Sequence, residues 1–259
     1  MVIALTRSSQ WTDLYYKIVG HYFWNPAEIG RVSDKSKPSH HWRHWESRLR
    51  KQEAPLNHIL DFFFYLAPQD LLDDVLSKML GRRVTNLELV VADREVLSGN
   101  LVQPDIIVTN GSELIFVEMK VDSQSSIDQF VKYAIAAHCL TKSERSLKSA
   151  SLVLLAKHTN FQSLWKNAKK QNITDAKSLR SVAIRGLDGD SSVWSQKSVQ
   201  RYLGTTPDAR SSVRQHVKDL ELSIANYGDL TSVLEAYATN ESIVSRIIEG
   251  VLSEIKQRL

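Results

Sequence analysis

One dipeptide constrains the fold of this chain more than any other feature. Asn110-Gly111 sits between two extended apolar runs, residues 104–109 (PDIIVT) and 114–121 (LIFVEMKV). Asn-Gly readily supplies the two positive φ angles of a type I′ turn, so it predicts an antiparallel hairpin with a two-residue loop. A third extended run precedes the hairpin at residues 87–96 (LELVVADREV). A helical pattern over 127–140 and a buried-strand pattern over 152–156 follow it. Upstream, Pro55 lies near the first turn of a helix over 54–66, with Leu56, Ile59, Leu60, Phe63 and Phe64 at helical spacing. A second helix is predicted over Gln69–Leu80, ended by Gly81. The order is helix, three strands, helix, strand, which is an α/β arrangement.

Beyond residue 157 the pattern is weaker. It predicts a strand over 181–185 and helices over 213–226, 230–238 and 242–258. Val244, Ile247, Ile248, Val251, Leu252 and Ile255 form an apolar stripe on the last helix. Three segments are expected: a basic, aromatic extension (1–52), a core (53–158) and a mainly helical C-terminal part (159–259) packed on that core.

The 259 residues, 42% of them hydrophobic, are enough to bury one large domain, with or without an appended subdomain. Disordered, collagenous and disulfide-rich classes are excluded. A single cysteine, Cys139, cannot form an intramolecular disulfide. With no charged-then-apolar leader in MVIALTRSSQW, it points to a reducing cytoplasm. No apolar run reaches the ~20 residues of a membrane-spanning helix, so no membrane partner is expected.

Charge is unevenly distributed. Residues 1–60 hold nine basic and five acidic side chains, 61–140 hold six and twelve, and 141–170 hold seven and one. An acidic middle flanked by basic stretches is either solvated surface or a metal-binding centre between walls that hold a polyanion.

The hairpin sharpens the second reading. With a two-residue loop, paired residue numbers sum to 221, so Asp105 faces Phe116 and is the diagonal neighbour of Glu118. Diagonal positions are ~7–8 Å apart between Cα atoms. Two carboxylates at that spacing can converge on one hard cation, Mg²⁺ or Mn²⁺. Lys120 shares their face, where its ammonium would stabilise charge on a substrate phosphate or help orient an attacking water. The plain alternative is a hairpin with one solvated face.

The sequence Pro104-Asp105, twelve residues, then Glu118-Met119-Lys120, in this order of elements, resembles the PD-(D/E)XK nuclease superfamily. Gln129 and Tyr133, four apart on one helix face, resemble the Gln-x-x-x-Tyr element of its RecB-like branch. The resemblance covers about residues 53–158. It implies a restriction-endonuclease-like αβββαβ core with a mixed sheet, divalent-metal dependence and DNA phosphodiester hydrolysis. It also implies a helical acid before the first strand: Glu53, with Asp61, Asp73 and first-strand Glu88 as alternatives. Gln129 has a competing role, because residues 126–129 (SIDQ) fit a capping box.

Arg43, Arg48 and Arg50, interleaved with His40, His41, His44, Trp42 and Trp45, are candidate nucleic-acid contacts, as are Lys142, Arg145 and Lys148 and the group Lys166, Lys169 and Lys170. The i, i+4 pair His40 and His44 lacks a further ligand for zinc. No GxxxxGK[ST], GxGxxG or GxSxG motif occurs. The expectation is a metal-dependent deoxyribonuclease, alone, as a homodimer or as a subunit of a multi-protein system in defence or DNA processing. Its rivals are a nuclease-like binding or assembly module and an RNA-cleaving enzyme.

Overall fold

The structure is a computed structural model that describes residues 11–12, 15–16, 53–90, 101–102, 104–121, 123–187, 193–203, 207–238 and 243–258. Five strands, β1 (Glu88–Leu89), β2 (Ile106–Thr109), β3 (Glu113–Lys120), β4 (Ser149–Ala156) and β5 (Glu221–Asn226), form one open sheet in that order. The β1–β2 and β2–β3 pairs are antiparallel, and β3–β4 and β4–β5 are parallel. The fold is therefore α/β with a mixed sheet. Every residue of β3 is buried, as expected of a central strand covered on both faces.

The chain divides into two compact units, Met1–Ala67 with Thr231–Leu259, and Pro68–Leu230. β5, which comes from the expected C-terminal part (159–259), completes the sheet built on the expected core (53–158). In the first unit, α1 (Glu53–Leu66) packs on the last described helix, whose Ile248, Val251, Leu252 and Ile255 are buried. The Tyr16 hydroxyl donates to buried Glu254 at 2.9 Å, and Trp11 lies so close to Gly250 that any Cβ there would overlap its indole.

The second unit contains the sheet. Helix α2 (Gln69–Leu80) ends at Gly81 in the left-handed conformation, φ 67°, and packs against β4 and β5. The Arg82 guanidinium binds Glu113 and, at 2.9 Å, Glu221, while Ser151 donates to Glu113 at 2.7 Å. This network fixes the end of α2 to the starts of three strands. On the other face, Phe116 meets Tyr133 of α3 (Ile127–Ser143), ring centroids 5.3 Å apart. Outside α3 and in contact with it lie α5 (Ala176–Gly186), α6 (Lys197–Leu203) and α7 (Pro207–Asp219), which follow the short α4 (Ala168–Gln171). No helix among the described residues is long and apolar enough to cross a membrane.

Three expectations require correction. Residues 181–185 are helical, inside α5, because the Asp175 and Ser178 capping box starts a helix that buries Leu179 and Ala183 one turn apart. Residues 221–226 are β5 rather than the end of a helix. Only Leu220 separates α7 from β5, and no Gly or Pro marks the change. Four residues lie between the last cross-strand pair of the hairpin, Thr109 and Leu114, so paired numbers sum to 223. The Asn110 Oδ1 accepts from the Ser112 N–H at 3.1 Å and the Glu113 N–H at 2.9 Å, an Asx-type closure that takes the place of the tight type I′ turn. Gly111, at φ 82°, supplies the required left-handed residue.

The α3–α7 contact contains His138 and His216, ring centroids 5.0 Å apart. Burial is the main cause lowering both pKa values, and the neighbouring His216 and Lys142 charges further depress that of His138. With folded-state pKa values below 6.5, the unfolded chain takes up more protons as pH falls. Stability from this contact is present above about pH 6.5 and lost below it. Thermal melts from pH 7.5 to 5.5 should show the double variant His138→Gln/His216→Gln losing less stability than the parent chain. Equal losses would count against this contact as the source.

Candidate active site

At the carboxyl end of β3 an apolar strand carries two charges. Glu118 and Lys120 are 5% and 8% exposed, a burial that requires every lone pair and proton to find a partner. Lys120 Nζ donates to Glu118 Oε1 at 2.6 Å, and Gln129 Nε2 donates to the same oxygen at 2.7 Å. The Tyr133 hydroxyl donates to Oε2. Burial, followed by the Glu118 charge, raises the Tyr133 pKa well above its ordinary value, keeping the phenol a donor.

Helix α3 supplies two of these donors from positions four apart. Ser126 caps the helix by accepting from the Gln129 N–H at 3.0 Å. The Gln129 side chain does not complete a capping box but reaches across to the strand. The competing role is thus half realised, in the backbone only.

Asp105 directly precedes β2. Its Oδ2 accepts from the Met119 N–H at 2.6 Å, joining it to β3. Extending the observed register by one residue sets Asp105 opposite Glu118, where Cα atoms lie ~4.5–5.5 Å apart. The expected diagonal relation is therefore replaced by a direct one. A shift of two positions in the pairing sum preserves the face each side chain occupies, so the three charged residues still belong to one face.

The loops beyond β3 and β4 border an open cavity of about 500 Å³ lined by Lys120, Gln124, Lys157, His158, Ser163 and Lys166, among others. Lys157 and His158 were not among the sequence candidates. The parallel pairing of Lys120 with Ala156 brings them to the site's end of the sheet. The signal available was Lys-His immediately after the apolar run of the fourth strand.

Other candidates lie elsewhere. Lys148 donates its N–H to Ser112 at 2.6 Å. This puts the Lys142, Arg145 and Lys148 group near the hairpin turn, roughly 20 Å from Lys120 at ~3.3 Å per residue. Lys169 and Lys170 are exposed on α4. Glu88 pairs with Thr109, four residues from Asp105 and hence ~13 Å away. Asp73 accepts from the Asn86 and Leu87 N–H groups at 2.9 and 3.0 Å and holds the turn into β1. Glu53 opens α1, in the other unit, and its side chain lies outside the described residues. Asp61 is also on α1, where burial raises its pKa to about 6. Arg43, Arg48 and Arg50 and the histidines and tryptophans among them lie outside the described residues.

Among the described residues, no three His, Cys, Asp or Glu side chains converge. Two carboxylates across a strand pair nonetheless fit Mg²⁺, which is commonly bound by one or two carboxylates and keeps several waters. Asp105 and Glu118 supply hard oxygen donors, and with Lys120 the three side chains carry a formal −1. No protein-family model, curated protein or solved structure matches the chain.

The donor pattern predicts an asymmetry. Lys120→Met leaves Glu118 with Gln129 and Tyr133, whereas Glu118→Ala removes the acceptor common to all three. Urea unfolding should find Glu118→Ala less stable than Lys120→Met by about 1–2 kcal/mol. The reverse order would contradict the assignment of Glu118 as the hub.

Proposed function

We propose that the chain is a metal-dependent nuclease of the PD-(D/E)XK type, with a restriction-endonuclease-like core, that hydrolyses DNA phosphodiester bonds. One observation carries the reading: a buried Glu-x-Lys on the central strand, with Asp105 bonded to that strand and Gln129 and Tyr133 both donating to Glu118. A strand built only for packing would not bury two charges at its end. Sites where local packing rules are broken are where function is expected.

Asp105 and Glu118 would hold Mg²⁺ or Mn²⁺. A bound cation supplies Lewis acidity and a coordinated water that loses its proton more readily. The chain's own groups account for the rest. Gln129 and Tyr133 fix the rotamer of Glu118. Lys120, bordering the cavity, faces an incoming phosphate and offsets charge as it develops there. DNA is preferred over RNA on the family resemblance, as are roles in defence or DNA processing.

A binding or assembly module is the second reading, and one observation favours it. Both Glu118 oxygens are already held by donors of the chain, so the site is satisfied without a cation. Calorimetric titration with Mn²⁺ separates the two, because a module without metal affinity at millimolar concentration releases no binding heat.

Incubation with circular and linear, single- and double-stranded DNA and RNA should give cleavage of DNA that depends on Mg²⁺ or Mn²⁺ and stops on chelation. Folded Asp105→Ala and Lys120→Ala variants should each lose about 100-fold or more in rate. Parent-like rates in both would end the proposal.

A further inference from the structure

The cavity beside Lys120 has a composition of its own. Lys120, Lys157, His158 and Lys166 line it together with Gln124 and Ser163, and among the described residues no Asp or Glu lines it. Its volume, about 500 Å³, falls within the ~300–1,000 Å³ of small-ligand sites. That is the scale of one nucleotide rather than of a duplex groove.

Its walls are tied together. The Ser125 N–H donates to Leu164 O at 2.8 Å and the Lys166 N–H returns to Ser125 O at 2.9 Å, forming an isolated parallel bridge between the two loops. Gln124 Nε2 adds a third bond, to Ser163 O at 2.8 Å. The loop after β3 and the segment after β4 thus form one braced wall, so the backbone that carries Lys166 is held before any ligand arrives. Pre-organised positive groups around a small cavity select an anion.

We infer that this cavity is a phosphate subsite, holding one phosphate-bearing nucleotide of the substrate strand next to the bond that is cut. The inference rests on the proposed nuclease reading for the identity of the ligand. Lys157 and Lys166 bind the phosphate, and Lys120 borders both this subsite and the carboxylate pair. A terminal phosphomonoester, with ~1.5–2 negative charges near neutral pH, and an internal diester, with one, share the phosphate chemistry that the cavity recognises.

The test is equilibrium binding to the full chain in a phosphate-free buffer with chelator, so that no cleavage intervenes. The probes are thymidine 5′-monophosphate and tetrathymidylates bearing a 5′-phosphate, a 3′-phosphate or neither. The parent chain should bind the tetrathymidylates, and Lys157→Gln/Lys166→Gln should weaken binding about tenfold or more. Lys166→Glu, at an exposed position, should act in the same direction and guards against misfolding of the double variant. Tighter binding of one phosphorylated end identifies a terminal phosphate as the occupant. Equal binding of all three tetrathymidylates, still lost in the double variant, identifies an internal one. Affinity in the folded variants within twofold of the parent chain, or no binding by the parent chain, overturns the inference. Asp105→Ala should keep the affinity while losing cleavage, so failure of the subsite and failure of the nuclease reading give different results.

Discussion

The contact on which the site depends is the buried ion pair between Glu118 and Lys120, two residues apart on one face of β3. Neither charge is tolerable alone in the middle of a covered sheet. A lone carboxylate or ammonium at that depth would neutralise or draw in water. Together, with Gln129 and Tyr133 completing the shell, they are satisfied. The requirement propagates outward. Because α3 supplies two of the donors, its rotation about its own axis is fixed as much by Glu118 as by the packing of Phe116 against Tyr133.

Strand order determines what surrounds that pair. β3 and β4 run parallel, so they end at the same edge, and whatever follows β4 in sequence emerges beside Lys120. A hairpin in that position would have sent the following residues to the other end. The antiparallel β2, by contrast, starts where β3 finishes, which brings Asp105 to the same edge from the opposite chain direction. One antiparallel neighbour and one parallel neighbour thus deliver an acid on one side of β3 and cations on the other.

Much of this was legible in the sequence, and for identifiable reasons. Asn110-Gly111 marked the hairpin, and side-chain alternation put Asp105, Glu118 and Lys120 on one face. That conclusion survived a loop of the wrong length because the error was an even number of residues. Helical spacing identified Gln129 and Tyr133 as neighbours. What escaped depended on distant pairing. Glu221–Asn226 abuts a helix with no breaker residue, and its strand character comes from lying along β4, about seventy positions earlier. Lys157 and His158 acquire their position only from the parallel register. Local sequence places the Lys142, Arg145 and Lys148 group no more than a few residues from β4, but it is attached to the strand's far end.

The uneven charge of the chain can now be assigned to locations. Of the seven basic residues in 141–170, Lys157 and Lys166 reach the site, while Lys142, Arg145 and Lys148 collect near the hairpin turn. The acidic stretch divides likewise. Asp105 and Glu118 face the site, whereas Asp73 and Glu113 bind backbone and Arg82 in structural roles. Lys120 therefore borders two regions of opposite character, a carboxylate pair and a cavity that Lys157 and Lys166 also line. On the proposed nuclease reading the two would serve different needs of phosphoryl chemistry, a Lewis-acidic centre at the reacting oxygens and cations that hold the phosphate in place. A lysine bonded to the carboxylate on one side and lining the cavity on the other is the residue the two regions share, and on that reading a charge bound on either side would act on the same ammonium.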